Sequence, residues 1–205
     1  MKNPKALARK IVGLSVVPAA ILVAGALVWQ GSAAAFSAST RSAGNSWSTG
    51  SVSLTDDDKG AAAFTVENLV PGQTGQKCIV VTSTANVAGT VRSYVQNLSV
   101  SGQGLENYIQ FSLEIGAANS GGSFNDCTGF VSAGAVAPQS IKSAADVHNS
   151  WATGGTAWTT TGAAPESRVY RGTWTFDTTG LTQQQVDALQ GSSATADLVW
   201  ELQSN

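Results

Sequence analysis

Two cysteines, Cys78 and Cys127, and one histidine, His148, are the residues of this 205-residue chain with the most restrictive chemistry. In an oxidising compartment an even pair of cysteines is expected to form a structural disulfide. Closing a loop of that size contributes about 4 kcal/mol in the chain-entropy model. The rival is a reactive or metal-binding thiol pair, but no histidine lies beside either cysteine in sequence to complete a site. Zinc hydrolysis draws on two or three histidines and a carboxylate base. Here His148 stands alone, in Asp146-Val147-His148-Asn149, and there is no HExxH. The many serines include no G-x-S-x-G elbow, and His148 would be their only base. No catalytic residue and no cofactor are expected.

Two further groups invite a ligand. Asp56, Asp57 and Asp58 offer hard oxygens to calcium, but EF-hand spacing is missing. A solvated hairpin tip is the plainer reading. Trp47, Trp151 and Trp158 suit a carbohydrate-stacking platform, chiefly Trp151 and Trp158 in their Gly/Ser/Thr-rich surroundings. Trp174 and Trp200 sit at alternating strand positions and are expected in the core.

These groups are positioned by a chain that begins with a targeting pattern. Lys2, Lys5, Arg9 and Lys10 precede an uncharged apolar segment at residues 11–29, and no acid occurs before Asp56. Ser32, Ala33, Ala34 and Ala35 supply the small residues of a signal-peptidase site, so cleavage is expected at Ala34 and Ala35. The rival is an uncleaved anchor, since about 17–25 residues span a bilayer; Pro18 and the small-residue run favour cleavage. The expected division is a signal peptide at 1–34, an N-terminal arm at 35–49 and a folded domain at 50–205. Without residues 1–34 the chain has seven scattered bases against thirteen acids, a formal charge of −6. That argues against nucleic acid, which wants clustered Lys and Arg. Contact with a membrane is expected only through the signal segment.

After Gly50 the hydrophobic period becomes two. Val52 and Leu54 alternate with serine and threonine, residues 56–60 supply a turn, and Phe64 and Val66 are expected to face one way on a returning strand. Pro71 and Gly72 make a turn before a continuous apolar run, Cys78 to Val81, that reads as a strand covered on both faces. Residues 91–100 form another candidate strand. Ile109, Phe111, Leu113 and Ile115 alternate cleanly. Residues 116–165 give little signal, but so long a loop is improbable in a compact domain, so one or two short strands are expected there. Tyr170, Trp174 and Phe176 mark a later strand, and Ala194, Ala196, Leu198, Trp200 and Leu202 mark the last. One helix is signalled by Thr182 with Gln185, a capping box, and Gly191 is expected to close it. About seven to nine strands with one short helix imply an all-β sandwich of Greek-key or jelly-roll type, preceded by a signal-peptide helix.

Several of these segments carry a likeness. Ala35-Phe36-Ser37, followed by Asn45-Ser46-Trp47-Ser48-Thr49-Gly50-Ser51-Val52-Ser53-Leu54, resembles the opening of the TasA/camelysin family. Leu69-Val70-Pro71-Gly72-Gln73-Thr74 resembles that family's turn before its third strand, and Val199-Trp200-Glu201-Leu202 resembles the last strand of actinobacterial members. Ser37-Ala38 stands where an acid is usual, and the best-known fibre-forming members lack the two cysteines. The resemblance implies export through a dedicated (SipW-type) signal peptidase, a jelly-roll sandwich at the cell surface and, in some members, a fibre subunit of the biofilm matrix. Some relatives carry a metallopeptidase label, which the single histidine does not suit.

The expected function is therefore that of a secreted cell-surface or matrix structural protein. A secreted carbohydrate-binding module is the alternative, and a metallopeptidase the remote one. The arm gives the structural reading a mechanism. Ala35, Phe36, Ser37, Ala38, Ser39 and Thr40 are expected to add as a strand to an open sheet edge of the next copy, with backbone hydrogen bonds giving affinity. Such a head-to-tail contact propagates as a filament.

Overall fold

A computed structural model describes residues 37–39, 52–62, 64, 66 and 68–204, all within one unit, Phe36–Asn205. Nine strands run through them: β1 (Ser37–Ser39), β2 (Leu54–Asp56), β3 (Thr74–Ser83), β4 (Gly89–Val100), β5 (Ile109–Gly116), β6 (Ser132–Ser140), β7 (Gly155–Thr160), β8 (Glu166–Phe176) and β9 (Ala194–Ser204). Sheet A has the order β1-β9-β4-β7, and sheet B the order β2-β3-β8-β5-β6. All pairings are antiparallel, and they nest: β5 with β6, β4 with β7, β3 with β8, β1 with β9. A long hairpin rolled on itself produces that order. The protein is a jelly-roll β-sandwich, with β2 added at one edge of sheet B.

Alternation decides which side chains fill the space between the sheets. On β8, Tyr170, Trp174 and Phe176 are buried, and on β9 so are Trp200 and Leu202. These join Ile79 and Val81 of β3, Val91 of β4 and Leu113 and Ile115 of β5 in two clusters. Each such side chain contributes about 1.5–3 kcal/mol when fully buried. Gly172 interrupts the aromatic row of β8 for a steric reason: a Cβ there would stand 3.1 Å from the ring of Phe64 and 3.2 Å from that of Phe111. The two rings meet edge to face at 6.2 Å.

Two expectations change. Among the described residues from 61 to 70 there is no strand; Phe64 packs against the second cluster without one. The low-complexity stretch holds β6, β7 and a helix, α1 (Ile141–Val147), that the sequence reading missed. Ser140 caps α1 by accepting the Ser143 N–H, and Lys142 pairs with Asp146 one turn on at 2.6 Å. The signal was weak because only Ala144 of α1 is buried. The expected helix forms as α2 (Gln183–Asp187), with its capping box in place: Gln185 N–H bonds Thr182 Oγ1, and Thr182 N–H bonds Gln185 Oε1 at 2.8 Å. It ends earlier than expected, with Ala188 as its C-cap, and Gly191 adopts the left-handed backbone, φ 72°, at the end of the turn that follows.

Candidate functional site

The predicted assembly arm meets the body of the protein at the edge of sheet A. Ser37, Ala38 and Ser39 lie opposite Gln203, Leu202 and Glu201 of β9 in the same chain. Ala34, Ala35, Phe36 and Thr40 lie outside the described residues. β1 therefore covers only the last part of an eleven-residue strand. Beside it, both oxygens of Glu201 are held: one accepts the Tyr94 phenol at 2.7 Å and the other the Gln203 amide at 2.9 Å. Burial, and after it the bond to Glu201, pushes the Tyr94 phenol well above the usual tyrosine range.

Cys78 and Cys127 are bonded, with Cα atoms 5.2 Å apart. Cys78 is on β3, and Cys127 lies in residues 117–131, which join β5 to β6 as a strap over the outer face of sheet B. Gly121 N–H bonds Gly129 O and Ala117 N–H bonds Val131 O, so the strap doubles back on itself. Phe130 lies under the Arg171 guanidinium, 4.5 Å from its ring centre, and Arg171 is held by Glu114 at 2.6 Å. This accounts for the continuous apolar run of β3. Ile79 and Val81 face the core, while Cys78, only 1% exposed, is covered from outside. A disulfide of this kind marks an oxidising, extracellular-type environment. No helix among the described residues is long and apolar enough to cross a membrane.

The three aspartates do not act together. Asp57 binds backbone: Oδ1 accepts the Val80 N–H at 2.8 Å, and Oδ2 accepts the Phe124 N–H at 2.6 Å. Asp58 accepts the N–H of Gly60 in the turn. The sequence reading missed Asp57, because nothing in a run of three acids says which one faces the sheet.

Trp151 and Trp158 do not form a shared platform. Trp158 is at an inward position of β7, 6% exposed, in the first core cluster with the Arg168 guanidinium over its ring at 5.0 Å. That burial takes it out of reach of a sugar and corrects the stacking expectation for this residue. Trp151, in a single 3-10 turn, donates its indole N–H to Thr90 O at 3.0 Å, and Arg92 covers one ring face at 4.7 Å. His148 follows α1 with Nδ1 2.7 Å from Thr153 O, and its carbonyl accepts the Val95 N–H. Among the described residues no three His, Cys, Asp or Glu side chains converge to hold a metal ion. Under α1, a cavity of about 20 Å³ lined by Val95, Phe111, Leu113, Val136 and Leu198 is no larger than a water molecule needs.

Comparison of the sequence with known proteins finds no matching family model and no matching curated protein.

Proposed function

We propose that this protein is exported and serves as a structural component of the cell surface or extracellular matrix, a fibre or biofilm-matrix subunit whose N-terminal arm adds as a strand to the next copy. The observation that carries the reading is the pairing of β1 with β9. It identifies an edge that accepts the arm in a fixed antiparallel register. It also makes exchange inexpensive, because the same backbone bonds form whether the arm comes from its own chain or from a neighbour. Residues 40–53 join β1 to β2, and fully extended they reach about 45 Å, at roughly 3.3 Å per residue, enough to bring an arm to another copy. Export is supported by the basic, apolar and small-residue order of residues 1–35 and by a crosslink of the kind found outside reducing compartments. A dedicated signal peptidase is the transient partner.

The test compares protein with and without residues 35–46 by electron microscopy and sedimentation. Filaments from the first and monomers from the second are expected. Equal assembly of the two would remove the arm from the mechanism.

A further inference from the structure

β3 has more edge than β2 covers. β2 pairs only with Val81, Thr82 and Ser83, whereas β3 begins at Thr74. Alternate residues of an antiparallel strand bond to opposite neighbours. Ile79 and Val81 serve β8, while Cys78 and Val80 turn their polar groups outward, past the end of β2. An outward row of this kind is a template for another strand. Here two bonds occupy it: Val80 N–H goes to Asp57 Oδ1 at 2.8 Å, and Cys78 O accepts the Asn125 N–H at 3.0 Å.

Asn125 is the tip of the strap, which reaches the edge by crossing β8. Gly122 passes so close to Val169 that a Cβ would stand 3.0 Å from the valine methyl, and its φ of 123° suits glycine alone. Asp57 binds the same tip through Phe124 N–H. Two residues beyond Asn125, Cys127 is covalently fixed to Cys78. The only covalent hold on the tip is thus attached to the residue whose carbonyl the tip occupies.

We propose that the strap is a redox-held guard: the Cys78–Cys127 bond keeps its tip on the β3 edge and closes that edge to a strand from a second copy. Forming the bond removes two protons and two electrons from the thiols. The acceptor is a disulfide-class oxidant, whose own S–S bond is reduced to two thiols. A dithiol reductant reverses the step and becomes a cyclic disulfide. The reduced chain has an open β3 edge, and the oxidised chain has a closed one. The inference concerns sheet B alone and stands whether or not the arm assembles on sheet A.

Amide hydrogen exchange on the oxidised protein, the same protein in dithiothreitol, and the protein reoxidised with glutathione disulfide tests it. Reduction should speed exchange at Val80, Phe124 and Asn125 by tenfold or more while Ile79 and Val81 stay protected. It should also raise the self-associated fraction on a sizing column, and reoxidation should restore both. Asp57→Ala with the crosslink intact should speed Val80 and Phe124 without self-association. Uniform acceleration along β3, outright unfolding on reduction, or a reduced protein that stays monomeric would each overturn the guard. The first two would make the bond a staple for the whole fold, and the last would show that the edge accepts nothing.

Discussion

Tyr170 of β8 and Trp200 of β9 meet edge to face across the sandwich, their ring centres 5.3 Å apart. They belong to different sheets, and the Tyr170 phenol also donates to Thr156 O of β7, opposite it, at 3.2 Å. One side chain thus joins β8 to two strands of sheet A. Edge-to-face geometry adds about 0.5–1.5 kcal/mol to the area that the rings bury.

Trp200→Ala removes the larger partner from the centre of the first cluster. The expected loss is about 3–5 kcal/mol, the usual range for truncating a buried aromatic. Tyr170→Phe keeps the ring and gives up one hydrogen bond, with an expected loss of about 1 kcal/mol. Urea midpoints at equal slope measure both. A Tyr170→Phe loss as large as that of Trp200→Ala would mean that the bond to Thr156, and not the ring contact, joins the sheets.

Gly89 sets how closely β4 approaches β9. A Cβ there would lie 2.5 Å from Gln203 O and 2.7 Å from a Leu202 methyl, and the first of these is backbone that cannot rotate away. Gly89→Ala is expected to cost about 1–3 kcal/mol, as overpacking does. The damage should appear at the end of β9 that β1 covers, as faster amide exchange around Leu202. Gly134→Ala is the control, since its Cβ would meet only an Ile115 methyl at 3.6 Å. It should change stability little.

Tyr94 and Tyr170 are both shifted upward, each chiefly by burial. A phenol with a raised folded pKa contributes stability that is fully present below its unfolded value of 10.0 and is lost as pH rises beyond it. Of the three tyrosines, at most one should ionise while the fold is intact. A tyrosinate absorbance titration followed together with near-ultraviolet circular dichroism checks this. Two or more ionised phenols in a protein with its native dichroism would contradict the buried position of at least one of Tyr94 and Tyr170.

Much of the sandwich was legible wherever side chains alternate in size and polarity. The row from Ile109 to Ile115 and the aromatics of β8 declare their faces, because a two-residue period maps directly onto a pleated strand. The run from Cys78 to Val81 showed that both faces were covered but not by what. Its outer cover, the strap, is rich in glycine and polar residues and is held by backbone bonds, a crosslink and two isolated rings, Phe124 against the first core cluster and Phe130 under Arg171, none of which produces a hydrophobic period. Trp158 was misplaced for a related reason. In Gly-Thr-Ala-Trp-Thr-Thr the second inward residue is Thr160, a polar side chain 1% exposed, so the alternation that would have marked β7 as a half-buried strand is hidden. The arm was read from its composition and the family resemblance, and its pairing with β9 of the same chain is visible only in the fold, since the register of three small residues against that strand leaves no mark in the sequence.

Asp126 stands at the tip of the strap and accepts both the hydroxyl of Thr128, at 2.7 Å, and its backbone N–H, at 2.9 Å. Those two bonds hold its carboxyl below the usual aspartate value of 3.8, with the Thr128 hydroxyl the larger cause. A depressed folded pKa means that the carboxylate's contribution is fully present above the unfolded value and is lost as pH falls below it toward the folded one. The local turn should therefore be intact at pH 5 and above and should loosen below about pH 4. Because the carboxylate is solvent-exposed, the effect is confined to the strap. Thr128 amide exchange, corrected for its intrinsic dependence on pH, should accelerate through that window while the Ile79 amide does not, and Asp126→Asn should remove most of the pH dependence. An Asp126→Asn protein whose Thr128 amide follows the same acid profile as the parent would assign the loosening to another group.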